Sequence, residues 1–283
     1  DPNHKTSGAE DSFGKLFKLN ATDRTIPFIV ELQGSPSALD IVAALFNSRQ
    51  ADIVAVIPLL NGISVICDLA GGNDGIFPSA EDYKGKDDQA RSFKMGLKQF
   101  EDLEDISIVA APGSTWNYSN NERAQEANTI AASLLSHAER MRYRIAVIDC
   151  AEKQSIADVR KVRAKMDSKY GAFYYPWVRV LDPITRLEIS LPPSGFVAGI
   201  YARNDAERAV YKARANEVVR GAIGFDVFLN QSQQEVLNPE GINCFRFFEG
   251  RGMRLWGART ISSDPEWKYV NLRRYFAYLE HSI

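Results

Sequence analysis

The residue types in this sequence best suited to catalysis lie in the middle of the chain. The chain has 3 histidines, and His137, on a predicted helix, is the interior candidate for a general acid, a general base or a ligand. Asp149 and Cys150 follow a predicted strand, and open α/β sheets place catalytic groups at the carboxyl ends of such strands. An α/β enzyme using these three residues is one hypothesis. The same positions are also typical of structural roles, such as a carboxylate that caps a turn.

Short catalytic motifs do not occur in the sequence. The Gly-rich residues 69–75 could approach a phosphate, but neither they nor Gly250-Arg251-Gly252 match the dinucleotide fingerprint or the P-loop, so both are interpreted as structural turns. The HExxH, CxxC, GxSxG and EF-hand patterns are missing as well. The cysteines, Cys67, Cys150 and Cys244, are odd in number and predict buried thiols in a reducing compartment. We therefore expect no metal and no cofactor.

A segment near the carboxyl end combines large aromatic side chains with arginines. Between Phe245 and Tyr278 the two types are interleaved, and protein interfaces favour this composition. The interface candidates are Arg251, Arg254, Arg259, Arg273 and Arg274. We expect these arginines to divide between contacts with neighbouring molecules and pairs within the subunit. The carboxylates expected in those pairs are Glu249, Asp264 and Glu266.

Length and composition exclude several classes of protein. The chain has 283 residues, 45% of them hydrophobic, with 34 Lys plus Arg against 36 Asp plus Glu, which argues for a folded globular protein and against disorder, collagen and coiled coil. No window approaches the roughly 20 apolar residues that cross a bilayer, so no membrane insertion is expected. Acidic residues exceed basic ones in residues 1–110 and basic ones exceed acidic ones in 111–283. This distribution disfavours nucleic-acid binding and suits self-association between unlike faces.

From residue 87 onwards, apolar runs alternate with amphipathic stretches. The predicted strands are 106–111, 145–148 and 178–181. The predicted helices are one that carries Ala90, Phe93, Leu97 and Phe100, one that begins with a capping box of Ser119 and Glu122, and one that begins at Ser155 and ends near Gly171. This order predicts right-handed βαβ crossovers.

The last part of the chain departs from that alternation. We predict a short helix near Gly199 and then strands at 225–229, 242–248 and 253–256. A final helix begins at the cap Asp264, and its predicted inner stripe consists of Tyr269, Leu272, Phe276 and Leu279.

These elements predict an α/β fold with a mostly parallel or mixed central sheet and flanking helices, in a core domain over residues 69–283. The pattern of residues 1–68 predicts a smaller, β-rich or mixed peripheral domain, with a helix over 37–46 and a hairpin at Asn61-Gly62.

The stretch from Asn238 to Ile283 closely resembles the C-terminal half of the contractile tail sheath proteins of bacteriophages. The matching motifs there are Gly241-Ile242-Asn243, Gly250-Arg251-Gly252, Trp256-Gly257-Ala258-Arg259-Thr260, Trp267-Lys268-Tyr269-Val270-Asn271 and Arg273-Arg274. Upstream, the matching motifs are Tyr174-Tyr175-Pro176-Trp177, Pro192-Pro193-Ser194-Gly195 and Ala198-Gly199-Ile200-Tyr201-Ala202-Arg203 with Asp205. The chain departs from the family at Ala209, where a Gly is usual, and at Arg214, where a Pro is usual.

The resemblance implies a structural and mechanical protein without an active site. Such sheaths polymerise helically around a tail tube, are joined to a baseplate and a tail terminator, and contract to drive the tube through the host envelope. It implies a component of the phage tail in the virion, assembled in the bacterial cytoplasm. It also implies that this chain is a trimmed subunit, which we expect to be monomeric in solution.

Overall fold

A six-stranded mixed sheet runs through the part of the chain that the computed structural model describes, residues 75–88 and 93–283. Its strands, in spatial order, are β3 (Ile108–Ala110), β4 (Ile145–Asp149), β5 (Gly171–Tyr175), β10 (Ile242–Phe248), β11 (Gly252–Trp256) and β8 (Glu217–Val218). The first four are parallel to one another, and the last two are each antiparallel to their neighbour. The predicted α/β fold class is therefore confirmed.

Helices flank this sheet. They are α1 (Ala80–Lys84), α2 (Asn121–Met141), α3 (Ile156–Arg163), α4 (Pro193–Glu207), α5 (Gln231–Leu237) and α6 (Val270–Ser282). Short 3₁₀ helices span Gly96–Asp102 and Pro265–Trp267. None of the helices in these described ranges is long and apolar enough to cross a membrane.

The central strands β4 and β5 are buried along their whole length, because helices cover both faces of the sheet. On one face, Ile148 and Phe173 pack in a cluster with Leu134 of α2. On the other face, Val147 packs in a second cluster with Tyr201 of α4. The alternation of side chains along each strand thus assigns successive residues to two separate cores.

The third predicted strand lies in a different sheet. Strand β6 (Val178–Leu181) pairs with β7 (Glu188–Leu191) and β9 (Ala222–Phe225) in a three-stranded antiparallel sheet. The third strand of the parallel sheet is instead β5, which begins at Gly171. This glycine does not cap a helix; a Cβ there would lie 2.3 Å from Leu135 Cδ2, so its role is close packing beneath α2.

The helix predicted through Phe93, Leu97 and Phe100 is wrong. Phe93–Lys94 is strand β2, paired with β1 (Asp87–Asp88), and the 3₁₀ helix follows. The physical reason is Gly96, whose φ of 55° interrupts an α-helix and whose Cβ, if present, would lie 2.4 Å from the Asp82 carbonyl oxygen. Ala90, also assigned to this helix, lies outside the described residues, as do the helix and hairpin predicted within residues 1–68.

The helix starts agree with the prediction to different degrees. Ser155 caps α3 as expected, by accepting a hydrogen bond from the Asp158 amide. Helix α2 is capped by Asn120, one residue after the predicted Ser119, because the Asn120 side chain accepts from two amides of the first turn. Asp264 caps only the 3₁₀ turn, and α6 begins later, at Val270.

Candidate functional site

Asp149, a candidate of the enzyme hypothesis, holds the start of a helix. It is the last residue of β4, and its two carboxylate oxygens accept hydrogen bonds from the Ser194 amide and the Ser194 hydroxyl, each at 2.6 Å. Ser194 lies in the first turn of α4. Burial raises the pKa of this carboxyl from 3.8 to about 7. Both carboxylate oxygens are thus engaged in hydrogen bonds within the fold.

Cys150 is buried and has no thiolate character. Burial, reinforced by the neighbouring Asp149, raises the pKa of its thiol well above the ordinary value. Its carbonyl oxygen accepts from the Trp177 indole at 2.8 Å and from the Thr115 hydroxyl at 3.0 Å. Cys244 is also a free, buried cysteine. The prediction of buried thiols is confirmed for these two, and Cys67 lies outside the described residues.

His137 lies at the other end of the sheet. Its Nε2 atom is 2.7 Å from an Arg144 guanidinium nitrogen, and Arg144 precedes β4 whereas Asp149 ends it. The five residues of β4 span about 16 Å at the rise of a strand. His137, Asp149 and Cys150 therefore do not form one constellation. In the described ranges, no group of three or more His, Cys, Asp or Glu residues could hold a metal ion.

We expect acid to destabilise the fold through His137. Burial and the Arg144 charge lower its pKa from 6.5 to about 4, so this contribution to stability is complete above pH 6.5 and is lost as the pH falls toward 4. Urea unfolding at pH 7 and pH 4.5 measures the free energy of unfolding at each pH. Between these pH values the natural chain should lose about 2 to 3 kcal/mol more than His137→Gln. Glutamine is a suitable control because its side-chain oxygen can still accept a hydrogen bond from Arg144. Equal losses in both proteins would contradict the assignment.

The inner face of α6 carries arginines. Arg274 donates to both oxygens of Asp205, at 3.0 and 2.7 Å, and the Arg214 guanidinium donates to the same carboxylate. Both arginines are buried, and both guanidinium groups lie over the Tyr201 ring. The Tyr201 and Tyr174 hydroxyls are hydrogen-bonded to each other. These five side chains form a polar cluster between α4, α6 and the sheet.

Arg273 is buried by a different set of contacts. Its guanidinium lies 4.9 Å from the Tyr170 ring centroid and 4.7 Å from that of Trp267. One nitrogen donates to Glu280 at 2.8 Å. Helix α6 therefore presents Arg273 and Arg274 to the subunit interior, together with Val270 and Ala277.

The apolar stripe predicted on the inner face of α6 lies largely outside. Tyr269, just before the helix, is 46% exposed, Leu272 is 40% exposed and Phe276 is 44% exposed, whereas Leu279 is half-buried. The Phe276 ring also meets the Trp267 ring edge-on, with centroids 5.3 Å apart. The prediction of a buried stripe is wrong because the two arginines take the inner positions. We call Tyr269, Leu272 and Phe276 the outer stripe.

The remaining arginines lie nearer the surface. Arg251 is exposed, and Arg254 and Arg259 are half-buried. Arg254 donates to the Arg251 and Asn216 carbonyl oxygens, and Arg259 lies over the Tyr269 ring.

The carboxylate partners expected from the sequence are wrong for Arg273 and Arg274, which pair with Glu280 and Asp205. The interface role of all five arginines stays a prediction. Sequence reasoning missed Arg214 as a cluster member and noted Asp205 only as part of a motif.

Comparison with known proteins gives consistent results. Residues 80–261 match the family model for the central domain of phage tail sheath proteins. A prophage major tail sheath protein of Pseudomonas aeruginosa (strain UCBPP-PA14) is 30% identical over 169 residues, 58% of this chain and 40% of the relative. The tail sheath protein of Burkholderia phage BcepMu is 33% identical over 108 residues, 36% of this chain and 22% of the relative. The matched region spans less than half the length of these relatives.

Two solved structures resemble the described fold. A chain in the six-fold symmetrised baseplate of the anti-feeding prophage is 32% identical, with a TM-score of 0.51, over 65% of this chain and 46% of the other. A chain in the contracted-state baseplate of the same particle is 26% identical, with a TM-score of 0.52, over 67% of this chain and 51% of the other.

Proposed function

Because this chain belongs to the family of phage tail sheath proteins, a structural and not an enzymatic family, we propose that it polymerises helically around a tail tube and contracts to drive the tube through the host cell envelope. The observation that carries the proposal is the family match, which extends over residues 80–261 and includes strands β3, β4, β5 and β10. The family is that of contractile tail components, so helical assembly and contraction follow as the proposed activity of the whole protein.

Helical growth requires two unlike surfaces on each subunit. An interface that joins one patch to a different patch, with a rotation that does not close, builds an open filament. Contraction then needs two alternative packings of nearly rigid subunits, with the energy difference released in the transition. The buried core on both faces of the sheet supports this proposal, because a subunit with two packed cores moves as a rigid block.

The proposed partners are further copies of this chain, the tail tube protein, the baseplate and the tail terminator. The relatives named above are tail sheath proteins, and both similar solved structures are described as baseplates. We propose the virion tail as the location of the protein and the host bacterial cytoplasm as the place of its assembly. Nucleic acid and membrane insertion have no part in the proposed activity.

The surface of the described unit supports assembly through protein contacts. The outer stripe exposes three large apolar or aromatic side chains on successive turns, and exposed apolar surface is where proteins commonly bind one another. Arg251 is exposed in the turn between β10 and β11. We propose that Arg251 contacts a neighbouring subunit or the tube.

Reversal of the Arg251 charge should block assembly and leave the subunit folded. Like charges brought together across an interface cost several kcal/mol, whereas an exposed side chain contributes little to folding. The test expresses the complete gene product with its tail tube protein and counts sheathed tubes by electron microscopy, for the natural protein and for Arg251→Glu.

The matched control is Arg186→Glu, in the exposed turn between β6 and β7. Sheaths of normal length with Arg251→Glu would remove Arg251 from the interface. The 283-residue chain itself should sediment as a monomer, and long striated cylinders formed by it would contradict that expectation. A complete gene product that stays dispersed beside its tube protein would overturn the proposed function.

A further inference from the structure

His137 and Arg144 form a buried contact beside one edge of the central sheet. His137 lies on α2 and Arg144 just before β4, and the two residues are 1% and 3% exposed. The Nε2 atom of His137 is 2.7 Å from one Arg144 guanidinium nitrogen. The other terminal nitrogen of the same guanidinium donates to the Leu103 carbonyl oxygen. Arg144 thus connects α2 to residues 103–107, the segment that leads into β3.

This contact fixes which nitrogen of the His137 ring carries the proton. A guanidinium group has donors and no acceptor, so Nε2 must be unprotonated to accept from Arg144. The neutral ring therefore carries its proton on Nδ1. The Nδ1 atom is buried and has no hydrogen-bond partner in the part of the chain that the structure describes. The ring is therefore held from its Nε2 side, by Arg144.

The charges around the imidazole ring disfavour a second proton. Arg144 acts on the ring from the start of β4, Arg140 from the next turn of α2 and Lys98 from the first 3₁₀ helix. Glu101, of the same 3₁₀ helix, acts in the opposite sense but already pairs with Arg140 and Lys98. The Asp105 charge acts on Arg144. A second ring proton would point an N–H at the guanidinium N–H groups, so it is incompatible with the Arg144 bond.

The segment 103–107 is a peripheral part of the fold. Its first three residues are exposed, and Ile106 is half-buried against the core cluster that contains Ile148. The Ser107 carbonyl oxygen accepts from the Ile145 amide at 3.0 Å. Strand β3, which follows, has three residues and lies at the edge of the sheet, next to β4. Peripheral segments of this kind open at a lower free energy than the whole fold.

We propose that His137 and Arg144 form an acid-sensitive latch: protonation of His137 at Nε2 breaks its bond to Arg144 and releases residues 103–107 together with β3, while the rest of the described unit stays folded. The proton comes from the solvent, and no covalent bond between heavy atoms changes. Protonation of buried histidines is a common physical basis of pH-dependent conformational switches. The latch is independent of the proposed sheath function, since it rests on contacts within one subunit.

Long-range proton–nitrogen correlation spectra of the histidine rings test the closed state of the latch. At pH 7 we expect His137 to be neutral, with its proton on Nδ1. Comparison with His137→Gln identifies the signals of this ring among those of the 3 histidines. A proton on Nε2 at pH 7 would overturn the proposal, because such a ring cannot accept from Arg144.

Two neighbouring amides report whether the release is local. The Ile145 amide donates to the Ser107 carbonyl oxygen, whereas the Ala146 amide donates to the Tyr170 carbonyl oxygen on the interior side of β4. Local release exposes the first amide only, and unfolding of the whole unit exposes both. Hydrogen exchange followed by NMR and converted to protection factors measures each amide. At pH 4.5 we expect Ile145 to be less protected than Ala146 by about tenfold or more.

The pH dependence identifies His137 as the group that triggers release. Burial and the Arg144 charge lower its pKa from 6.5 to about 4 in the closed state, and the released ring regains its ordinary pKa. Between pH 6.5 and pH 4.5 the protection factor of Ile145 should therefore fall by about 40-fold in the natural chain. It should fall by less than about twofold in His137→Gln, whose side chain does not titrate.

Circular dichroism checks that both proteins are folded at pH 4.5. Equal protection of Ile145 and Ala146 in the natural chain at pH 4.5 would overturn the proposal, because the release would then not be local. An equal fall of the Ile145 protection factor in the natural chain and in His137→Gln would overturn it as well, because His137 would then not be the trigger.

Discussion

Replacement of Asp205 by asparagine should lower the free energy of unfolding by about 3 to 4 kcal/mol, because it leaves two buried arginines without a counter-charge. Asp205 accepts from Arg214 and, with both oxygens, from Arg274. The two guanidinium groups also repel each other, and burial together with the Arg274 charge already lowers the pKa of Arg214. Urea unfolding at pH 7 measures the change. Few other single substitutions in this chain should cost as much, since typical ones cost 0.5 to about 3 kcal/mol.

Two further variants serve as controls for this experiment. Asp158→Asn removes an exposed carboxylate that bonds Ser155 and Lys161 at the start of α3, and it should cost less than about 1 kcal/mol. The double variant Asp205→Asn with Arg214→Gln removes one charge of each sign and should recover part of the loss. If Asp205→Asn unfolds at the same urea concentration as Asp158→Asn, the cluster does not carry the stability assigned to it.

Replacement of Asp149 by alanine should cost about 3 kcal/mol at pH 5, where the folded carboxyl is protonated and carries no charge penalty. The substitution removes the acceptors of the Ser194 amide and hydroxyl, and Ser194 is completely buried. Water cannot replace those partners without opening the packing between β4 and α4. Urea unfolding of both proteins at pH 5 measures the difference.

Asparagine at the same position provides the control. Asp149→Asn keeps one oxygen for the Ser194 amide and offers an amide donor to the hydroxyl, so it should cost less than half as much as alanine. It also removes a pH dependence. Because the folded pKa of about 7 exceeds the unfolded value of 3.8, this group's contribution falls as the pH rises from about 4 to 7.

Between pH 5 and pH 8 the free energy of unfolding of the natural chain should fall by about 2 to 3 kcal/mol more than that of Asp149→Asn. Parallel pH profiles for the natural chain and the asparagine variant would refute the assignment.

The elements that sequence predicted well are those whose signals are local. Strand β4 is an apolar run up to its last residue, Asp149, and α3 has a capping serine. Strand β5 was missed because Gly171 resembles a helix terminator in the sequence, whereas its actual requirement is the approach of Leu135 from another element. The helix assigned through Phe93 failed for a similar reason, since the positive φ of Gly96 overrides an apolar period of three and four residues.

Prediction of the candidate site from the sequence is limited in the same way. The position of Asp149 at a strand end is readable from the sequence, but its bond to Ser194 joins residues 45 positions apart. On α6, an apolar stripe and a pair of arginines occupy different faces, and hydrophobicity alone selects the stripe as the inner one. The deciding partner, Asp205, lies 69 residues from Arg274. The membership of the polar cluster is therefore set by tertiary contacts that no local pattern encodes.

The shortness of the two edge strands described in the central sheet affects how the protein behaves in concentrated solution. Strand β3 has three residues and β8 has two, so each border offers few free backbone donors and acceptors. Short edge strands hinder the edge-to-edge pairing of one sheet with another that leads to fibrils. Concentrated solutions of the chain should therefore resist amyloid-type aggregation arising from this sheet, even though other parts of its surface are apolar.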